Sequence, residues 1–394
     1  MKFIKKKSKA YQHSFQNAEN IVFLQSGIDF YEKLISIIDS AKKSLHLQMY
    51  IIYDDEIGNK VLTSLIQAAQ RGVEIYVVVD GFGSRNLTTE YIDKLIDAGI
   101  NFRFFSRISL FKNLSLGRRL HHKIVVADNY MALVGGINIA DKYHGSEIKE
   151  PWLDFALYLK GDVCEKLEKI CSLIVEKKYN QTQNQNRNPK SLIHPTRISI
   201  RQNDWLRNRK QIYQSYKLAF DSAEKSIIIF GSYFLPGLRL RRALEAASKR
   251  GVQISIVLAG VSDIPPILNA TYYLYHWLLK NNIRIFEWKK SVLHAKIAIV
   301  DDHWMTVGSF NLNHLSTLAS IELNIDILDD AFAKKSRLFL DKLIEEGCEE
   351  ITSNRKRPLL TRIREAIAYF LGRTLIKTIT IFPNFRNYYS KMLD

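Results

Sequence analysis

Residues 121–138 read HHKIVVADNYMALVGGIN, and residues 294–311 read HAKIAIVDDHWMTVGSFN. Both stretches contain the pattern H-x-K-x4-D followed by G-x-x-N, at identical spacing and 173 residues apart. One short pattern of this kind can arise by chance, whereas two copies in the same register indicate an internal duplication. Exchange at a phosphodiester needs one imidazole that attacks and another that donates a proton, so a duplicated histidine suits that chemistry.

The duplication extends beyond these two stretches. Asp39–Ser44 recurs as Asp221–Ser226, and Arg71–Val73 recurs as Arg250–Val252 ahead of a second apolar run. In both halves amphipathic segments alternate with short β-branched runs, which predicts an α/β fold with helices covering β-sheets. The predicted units are a first half at 1–180, a linker at 181–205, a second half at 206–350 and a basic segment at 351–394.

Composition narrows the class of protein. A chain of 394 residues is long enough for two domains with separate cores. The formal net charge of +17 predicts a polyanionic partner, either nucleic acid or an anionic membrane surface. The three cysteines lack metal-ligand spacing, which indicates reduced, buried thiols. There is no signal-peptide pattern and no run near the roughly 20 apolar residues that cross a bilayer, so we expect a soluble or peripheral protein.

The two H-x-K patterns lie in β-branched runs, Leu120–Ala127 and Val292–Val300, which are predicted to be strands. Alternation along a strand places the His and Lys of each copy on one face. Asp128 and Asp301 then face the other way, and we expect each to bond the turn into the next strand. The side chains expected around one phosphate are His121, Lys123, Asn138, His294, Lys296 and Asn311. The motif residues expected to be structural are Asp128, Asp301, Gly135, Gly308 and Ser309.

The paired motifs resemble those of the phospholipase D superfamily. The flanking stretches Tyr50–Gly58, Val79–Ser84 and Ser232–Pro236 are similar to bacterial cardiolipin synthases, above all to the cardiolipin synthase B subgroup without N-terminal membrane spans. The similarity covers roughly residues 23–328. This resemblance implies two similar phospholipase D-like domains, each a mixed β-sheet flanked by helices, with one active site at their interface.

The resemblance also implies a covalent phosphohistidine mechanism. We expect His121 to be the nucleophile and His294 the acid and base. The family keeps a carboxylate about thirty residues after each histidine to orient its imidazole, and Asp154 and Glu322 occupy those places. Gly136 stands where the second copy has serine, a change common in cardiolipin synthases.

The activity that follows is transfer of a phosphatidyl group to phosphatidylglycerol. The donor is a second phosphatidylglycerol or phosphatidylethanolamine, so glycerol or ethanolamine is released, and no cofactor is implied. A metal is disfavoured because a lysine accompanies each histidine. Hydrolysis through the same intermediate, as a phospholipase D or less favourably a nuclease, is the alternative within the superfamily. A non-catalytic membrane-binding module is a third reading. The lipid-type flanking motifs favour phospholipid over nucleic acid as the partner.

Three segments are candidates for contact with lipid. Ser106–Leu120 mixes apolar and basic residues and is either a bilayer contact or a lid packed on the protein. Ile264–Leu279 is predicted to be a core helix, with the lining of an acyl channel as the alternative. Residues 355–394 carry nine Lys/Arg and two acids, which predicts a basic amphipathic helix on anionic lipid, or a helix docked on the second half. We therefore expect a peripheral protein on the cytoplasmic face of the bacterial inner membrane; the oligomeric state stays open.

Overall fold

The computed structural model describes residues 11, 14–106, 118–175, 196–204, 207, 209–313, 316, 320–352, 360–361 and 363–371. The predicted lipid contact at 106–120 therefore falls mostly outside the described residues. So do the Asn/Gln-rich part of the predicted linker and the basic segment after residue 371.

The described elements alternate as the sequence predicts. In chain order the strands are β1 (Gln16–Ala18), β2 (Asn20–Gln25), β3 (Ser44–Met49), β4 (Glu74–Asp80), β5 (Asn101–Phe105), β6 (Arg119–Leu120), β7 (Lys123–Ala127), β8 (Met131–Gly135), β9 (Phe155–Lys160), β10 (Thr196–Asp204), β11 (Arg209–Lys210), β12 (Ser226–Gly231), β13 (Gln253–Ala259), β14 (Arg284–Trp288), β15 (Lys296–Val300), β16 (Trp304–Gly308), β17 (Ser320–Leu328) and β18 (Cys348–Ile351). The helices are α1 (Ile28–Ser40), α2 (Glu56–Gln70), α3 (Thr89–Asp97), α4 (Asp141–His144), α5 (Val163–Val175), α6 (Gln211–Ser222), α7 (Leu238–Lys249), α8 (Pro265–Tyr273), α9 (Tyr275–Lys280) and α10 (Asp330–Gly347). Residues 363–371 form a further helix.

Local chemistry sets several of these boundaries. α2 begins after Asp55, whose carboxylate accepts a hydrogen bond from Gly58 N at 3.0 Å. α3 begins after Thr88, whose hydroxyl accepts from Tyr91 N at 3.2 Å. Each cap satisfies an amide that the first turn leaves without a partner.

The strands form two sheets with the same core topology. The first has the order β2-β9-β8-β7-β3-β4-β5, and the second contains the matching order β10-β17-β16-β15-β12-β13-β14. Within each of these seven-strand sets, three neighbouring strands run parallel and the other neighbours pair antiparallel. The second sheet adds β18 beyond β14, β1 and β11 beside β10, and β6 beside β17. The predicted α/β fold with two similar mixed sheets and flanking helices is confirmed.

The largest buried cluster combines residues of both sheets, so the halves share a core. It includes Ile124 and Phe155 from the first half with Phe230 and Ile297 from the second. The rings of Phe155 and Phe230 meet edge to face at 6.1 Å. Two further clusters lie under the outer helices of each half. Burial on both faces explains why the central strands are nearly uninterrupted apolar runs.

The predicted linker is wrong at its end. Residues 196–204, within the range 181–205, form β10, which pairs along its length with β17 in the second sheet. The alternation of Ile198 and Ile200 with polar residues is that of a strand. The N-terminal β1 also joins the second sheet, through β10, although it was expected in the first half.

Within the described ranges, no helix combines the length and the hydropathy needed to cross a membrane.

Candidate active site

The chain leaves its own sheet at each motif histidine. β6 ends at Leu120 and β7 starts at Lys123, so the continuous strand predicted over Leu120–Ala127 is broken at His121 and His122. β15 likewise starts only at Lys296 rather than at Val292. The prediction of one continuous strand is wrong in both halves, because the residues before each lysine pair with the other half of the molecule.

This cross-pairing is equivalent on the two sides. Leu120 pairs with Ile321 in β17, and His121 N donates to Ile321 O at 3.0 Å. Leu153, ahead of β9, bridges to Leu293, and His294 N donates to Leu153 O at 2.8 Å. These backbone bonds place His121 beside residue 322, which follows Ile321, and His294 beside residue 154, which follows Leu153.

Residues 322 and 154 carry the two predicted carboxylates. His121 Nδ1 lies 2.8 Å from Glu322 Oε2, and His294 Nδ1 lies 2.5 Å from Asp154 Oδ2. Both carboxylates are buried, at 1% exposure or less. The expectation that each carboxylate orients the histidine of its own half is wrong. The pairs are crossed, because the backbone pairing places Glu322 next to His121 and Asp154 next to His294.

The contacts of Nδ1 indicate the tautomers. Those of His121 Nδ1, with Glu322 Oε2 and with Ser309 O at 3.1 Å, are both to acceptors, so this nitrogen carries the proton. His294 Nδ1 faces the acceptor Asp154 Oδ2 and also lies 2.8 Å from Lys296 Nζ, so its proton is assigned from the carboxylate contact. Nε2 of a neutral ring then keeps its lone pair and can attack or accept a proton. Both rings are thus prepared for nucleophilic or acid-base chemistry.

Both motif lysines are buried at this junction. Lys123 Nζ donates to His121 O at 3.0 Å and lies 4.9 Å from the centre of the Tyr50 ring. Lys296 Nζ donates to His294 O and lies 3.4 Å from Asp154 Oδ2. Burial, followed by the nearby charge of Lys296, lowers the pKa of Lys123 to about 7. Burial also lowers the pKa of Lys296, against the attraction of Asp154.

The histidines are electrostatically coupled across the halves. Burial is the main cause that lowers the pKa of His294 well below its ordinary value, and the charges of Lys296, Lys123 and His121 add to it. Burial also lowers the pKa of His121, against the opposing effect of Glu322. Burial raises the pKa of Asp154 to about 6, although Lys296 opposes the shift. A bound phosphate would oppose these shifts by favouring the charged forms of the lysines and histidines.

The two motif asparagines differ. Asn138 is fully buried; its oxygen accepts from Ile51 N at 3.1 Å and its nitrogen donates to Tyr143 Oη at 2.9 Å. Asn311 accepts from Ser232 Oγ at 3.0 Å through its oxygen. The expected contact of Asn138 with a phosphate therefore gives way to a contact with Tyr143, whose ring lies 5.4 Å from that of His294.

Aromatic side chains that were not among the predicted site residues surround the histidines. The ring centres of Tyr50 and His121 are 4.7 Å apart, and those of Tyr233 and His294 are 6.0 Å apart. Trp152 lies 6.2 Å from His294. Tyr50 follows β3 directly, and Tyr233 lies two residues after β12, the corresponding strand of the second half. Their position at the ends of these strands is the sequence feature from which their place at the site could have been predicted.

The motif glycines are explained by close backbone approach. A Cβ at Gly135 would lie 2.4 Å from Phe155 O, and one at Gly308 would lie 2.3 Å from Leu323 O. A Cβ at Gly136 would lie 2.3 Å from Asp154 Oδ1. Side chains at these three positions would displace either strand backbone or the carboxylate itself.

Asp128 and Asp301 lie away from the histidines, as parity along the strands predicts. Asp128 accepts hydrogen bonds from the amides of Lys42, Lys43 and Ser44, and its own φ is +53°. The predicted partner was wrong: the bonded turn precedes β3, the neighbour of β7, instead of leading into the next strand. Asp301 repeats the arrangement ahead of β12, with the amides of residues 224–226.

The side chains of the described residues contain no group of three or more His, Cys, Asp or Glu that would hold a metal ion. The groups at the site that can bind an anion are the two lysines and the two imidazoles.

Known proteins match the chain over most of its length. The family model described as cardiolipin synthase, PLD-like domain, matches residues 34–150 and 216–344. Cardiolipin synthase B of Escherichia coli (strain K12) is 32% identical over 348 residues, which cover 86% of this chain and 83% of that protein. Cardiolipin synthase of Clostridium perfringens (strain 13 / Type A) is 30% identical over 378 residues, covering 90% and 78%.

Solved structures support the fold. The crystal structure of phosphatidylserine synthase from Haemophilus influenzae Rd KW20 matches with a TM-score of 0.72 at 16% identity, covering 95% of this chain and 99% of that one. The resemblance predicted from the motifs is confirmed by the family model and the relatives. The chain belongs to the cardiolipin synthase family of phosphatidyltransferases with a phospholipase D-like domain.

Proposed function

We propose that this enzyme makes cardiolipin by transferring a phosphatidyl group to phosphatidylglycerol through a covalent phosphohistidine. The observation that carries the proposal is the crossed pairing of His121 with Glu322 and of His294 with Asp154. One site thus contains two imidazoles whose Nε2 atoms are both available, together with two buried lysines. Two such imidazoles support a double displacement through a covalent intermediate, and the names of the relatives support cardiolipin rather than phosphatidic acid as the product.

In the first step, Nε2 of His121 attacks the phosphorus of the donor phosphodiester. A P–N bond forms while the P–O bond to the headgroup alcohol breaks, and that oxygen takes the proton from Nε2 of His294. The alcohol is glycerol or ethanolamine, according to the donor. His121 suits the nucleophilic role because its side chain is the more accessible, at 12% exposure against 7% for His294.

In the second step, a hydroxyl of phosphatidylglycerol attacks the phosphohistidine. Its proton passes to Nε2 of His294, the P–N bond breaks, and His121 is restored. Charge on the non-bridging oxygens rises in both transition states, and Lys123 and Lys296 are placed to offset it. A phosphate anion would also weaken the repulsion between His294 and the lysines, which favours the protonated ring that the first step needs.

The remaining motif residues hold these groups in position. Asn138 fixes Tyr143 against His294, whereas Asn311, at 6% exposure against 0% for Asn138, is the carboxamide that we expect to contact the phosphate. No cofactor enters the steps. The relatives' names, cardiolipin synthase and cardiolipin synthase B, support cardiolipin as the product. We place the enzyme peripherally on the cytoplasmic face of the bacterial inner membrane, where phosphatidylglycerol is at hand.

The test supplies purified enzyme with labelled phosphatidylglycerol, alone and mixed with phosphatidylethanolamine. We expect cardiolipin in at least one mixture, and the released alcohol identifies the donor. Phosphatidic acid as the sole product in both mixtures would show that water is the acceptor and would establish the hydrolase alternative instead. His121→Ala and His294→Ala should each abolish turnover of the lipid.

The order of the histidines is tested by trapping. With a donor whose leaving group is p-nitrophenol, which departs without protonation, His294→Ala should still form a protein-bound phosphatidyl adduct, and His121→Ala should form none. Peptide mapping after quenching locates the adduct. An adduct on residue 294 in the His121→Ala variant would reverse the assignment.

A further inference from the structure

α8 is a partly exposed helix without charged side chains. Residues 264–275 contain no Asp, Glu, Lys or Arg. Val261, Ile264 and Tyr273 are nevertheless 48%, 38% and 37% exposed, and the two prolines at its start are exposed as well. The expected core helix at Ile264–Leu279 is confirmed from Ala270 onward, since Ala270, Leu274, Tyr275 and Leu278 lie in a buried cluster, and is wrong for residues 264–266, which are exposed. A helix that faces water normally carries charges on its outer face, so this one is built for another neighbour.

The helix at 363–371 packs beside α8 and enlarges its apolar surface. Tyr369 is buried, stacks on Tyr273 at 4.6 Å, and accepts a hydrogen bond from Arg241 of α7 at 3.1 Å. A neighbouring stripe, Ile363, Ile367 and Phe370, is 47%, 52% and 54% exposed, although the Phe370 ring also meets Tyr273 at 5.7 Å. The spacing of four and three residues places these on one face. The helix is thus docked by one face and still presents a second apolar face.

This surface is continuous with the catalytic centre. α8 starts two residues after Asp263, whose carboxylate accepts from Tyr233 Oη at 2.7 Å. The ring of Tyr233 lies 6.0 Å from that of His294. One hydrogen-bonded pair therefore separates the reacting histidine from the start of the apolar surface.

Exposed arginines lie on the two helices that pack together at this surface. Arg239 and Arg242 are exposed on α7, which contacts helix 363–371 through Arg241, and Arg364 is exposed on that helix. Apolar side chains with flanking arginines match the interface of an anionic bilayer, where the apolar groups enter the acyl boundary and the cations meet phosphates.

We propose that this apolar face docks on the surface of an anionic phospholipid bilayer and brings the histidines to the headgroups. The apolar face consists of Val261, Ile264, Tyr273, Ile363, Ile367 and Phe370. The proposal rests on the proposed function, because a long-chain phospholipid presents its phosphodiester to a peripheral enzyme only at the membrane surface. The face provides that path at the His294 side of the site.

A matched pair of substitutions tests the docking face in the full-length protein. Ile367→Asn removes an apolar side chain from it, and Ile96→Asn removes the same side chain, 54% exposed, from α3 in the first half. We expect Ile367→Asn to weaken binding to phosphatidylglycerol/phosphatidylcholine vesicles at least about tenfold, and Ile96→Asn to leave it unchanged. Circular dichroism and thermal unfolding check that both variants fold. Equal binding by the two folded variants would overturn the proposal. Should Ile367→Asn not fold, Phe370→Ser replaces it.

Activity measurements separate this inference from the proposed function. Ile367→Asn should lose turnover on vesicles and keep it on a short-chain phosphatidylglycerol below its micelle concentration. Wild-type protein that binds vesicles but makes no cardiolipin from either substrate would refute the proposed function and leave the docking face standing. Loss of turnover on both substrates by the folded variant would show that Ile367 acts within the site, which contradicts the proposal.

Discussion

The first and second halves hold their carboxylates by different means. In the first half, Asp154 Oδ1 accepts directly from the amide of the next residue, Phe155, at 2.8 Å, and its carboxylate lies against Gly136. In the second half, the amide of Leu323 donates instead to Ser309 Oγ at 3.1 Å. That hydroxyl then donates to Glu322 Oε2 at 2.5 Å.

In each half the length of the carboxylate side chain matches the residue beside it, glycine in the first half and serine in the second. Glutamate is one methylene longer than aspartate, so its carboxylate lies too far along to meet its neighbour's amide directly. The Ser309 hydroxyl connects the Glu322 carboxylate to that amide. The Asp154 carboxylate instead occupies the space that a side chain at position 136 would need. Gly136 with Asp154 and Ser309 with Glu322 are therefore two solutions of one problem, the orientation of an imidazole that belongs to the other half.

The largest expected effect tests the crossing itself. Glu322→Gln and Asp154→Asn should each lower kcat by about 10³–10⁴-fold, because an amide can present a donor to Nδ1 and favour the wrong tautomer. A donor with a p-nitrophenol leaving group should restore adduct formation in Asp154→Asn, since His294 is then no longer needed as the acid. It should not do so in Glu322→Gln, where the nucleophile His121 is misoriented.

The opposite pattern of rescue would contradict the crossed arrangement. If each carboxylate served the histidine of its own half, Glu322→Gln would be the rescued variant. Rapid-quench measurement of the adduct, with wild type as the reference, separates these outcomes.

Substitutions that swap glycine and serine at positions 136 and 309 should give the next largest effects. Gly136→Ser should reduce kcat/KM about 100-fold, since its Cβ would displace Asp154. Ser309→Gly removes one hydrogen bond to a carboxylate and should cost about tenfold. Adding Asp154→Glu to Gly136→Ser copies the second half into the first and should recover part of the loss. A double variant no better than Gly136→Ser would refute the idea of matched pairs.

The sequence predicted the duplication, the sheets and the histidine-lysine pairs because each depends on local patterns. Alternation along the strands also placed Asp128 and Asp301 away from the histidines. The crossed carboxylates were not predicted, since they depend on β6 and residue 293 pairing with the opposite half. The role of Asn138 was missed for a similar reason: its amide is directed by Ile51 and Tyr143, which no motif joins to it.

A pH profile tests how charge is divided between the halves. The pKa of Lys123 is lowered to about 7 by burial, so its positive charge is lost as the pH rises through that value. The pKa of Asp154 is raised to about 6 by burial, so its carboxylate is lost as the pH falls. We expect a bell-shaped kcat/KM with limbs near these values, measured under conditions where all variants stay folded. Lys123→Arg should remove the alkaline limb because guanidinium stays charged, whereas Lys296→Arg should leave it in place. An alkaline limb unchanged in Lys123→Arg would assign it to another group.

The smallest effect on catalysis is expected where the halves are most alike. Asp128 and Asp301 each accept from three consecutive amides ahead of an inner strand, at distances of 2.7–3.0 Å and 2.8–2.9 Å. Asp128→Ala and Asp301→Ala should each lower the free energy of unfolding by about 1–3 kcal/mol, since the amides lose an acceptor. Activity per folded molecule should change by less than about twofold, because neither carboxylate reaches the histidines. Urea unfolding and vesicle assays on the same preparations measure both quantities. A loss of activity comparable to that of Asp154→Asn would place these aspartates in the chemistry, and an effect confined to one half would show that the two turns are not equivalent.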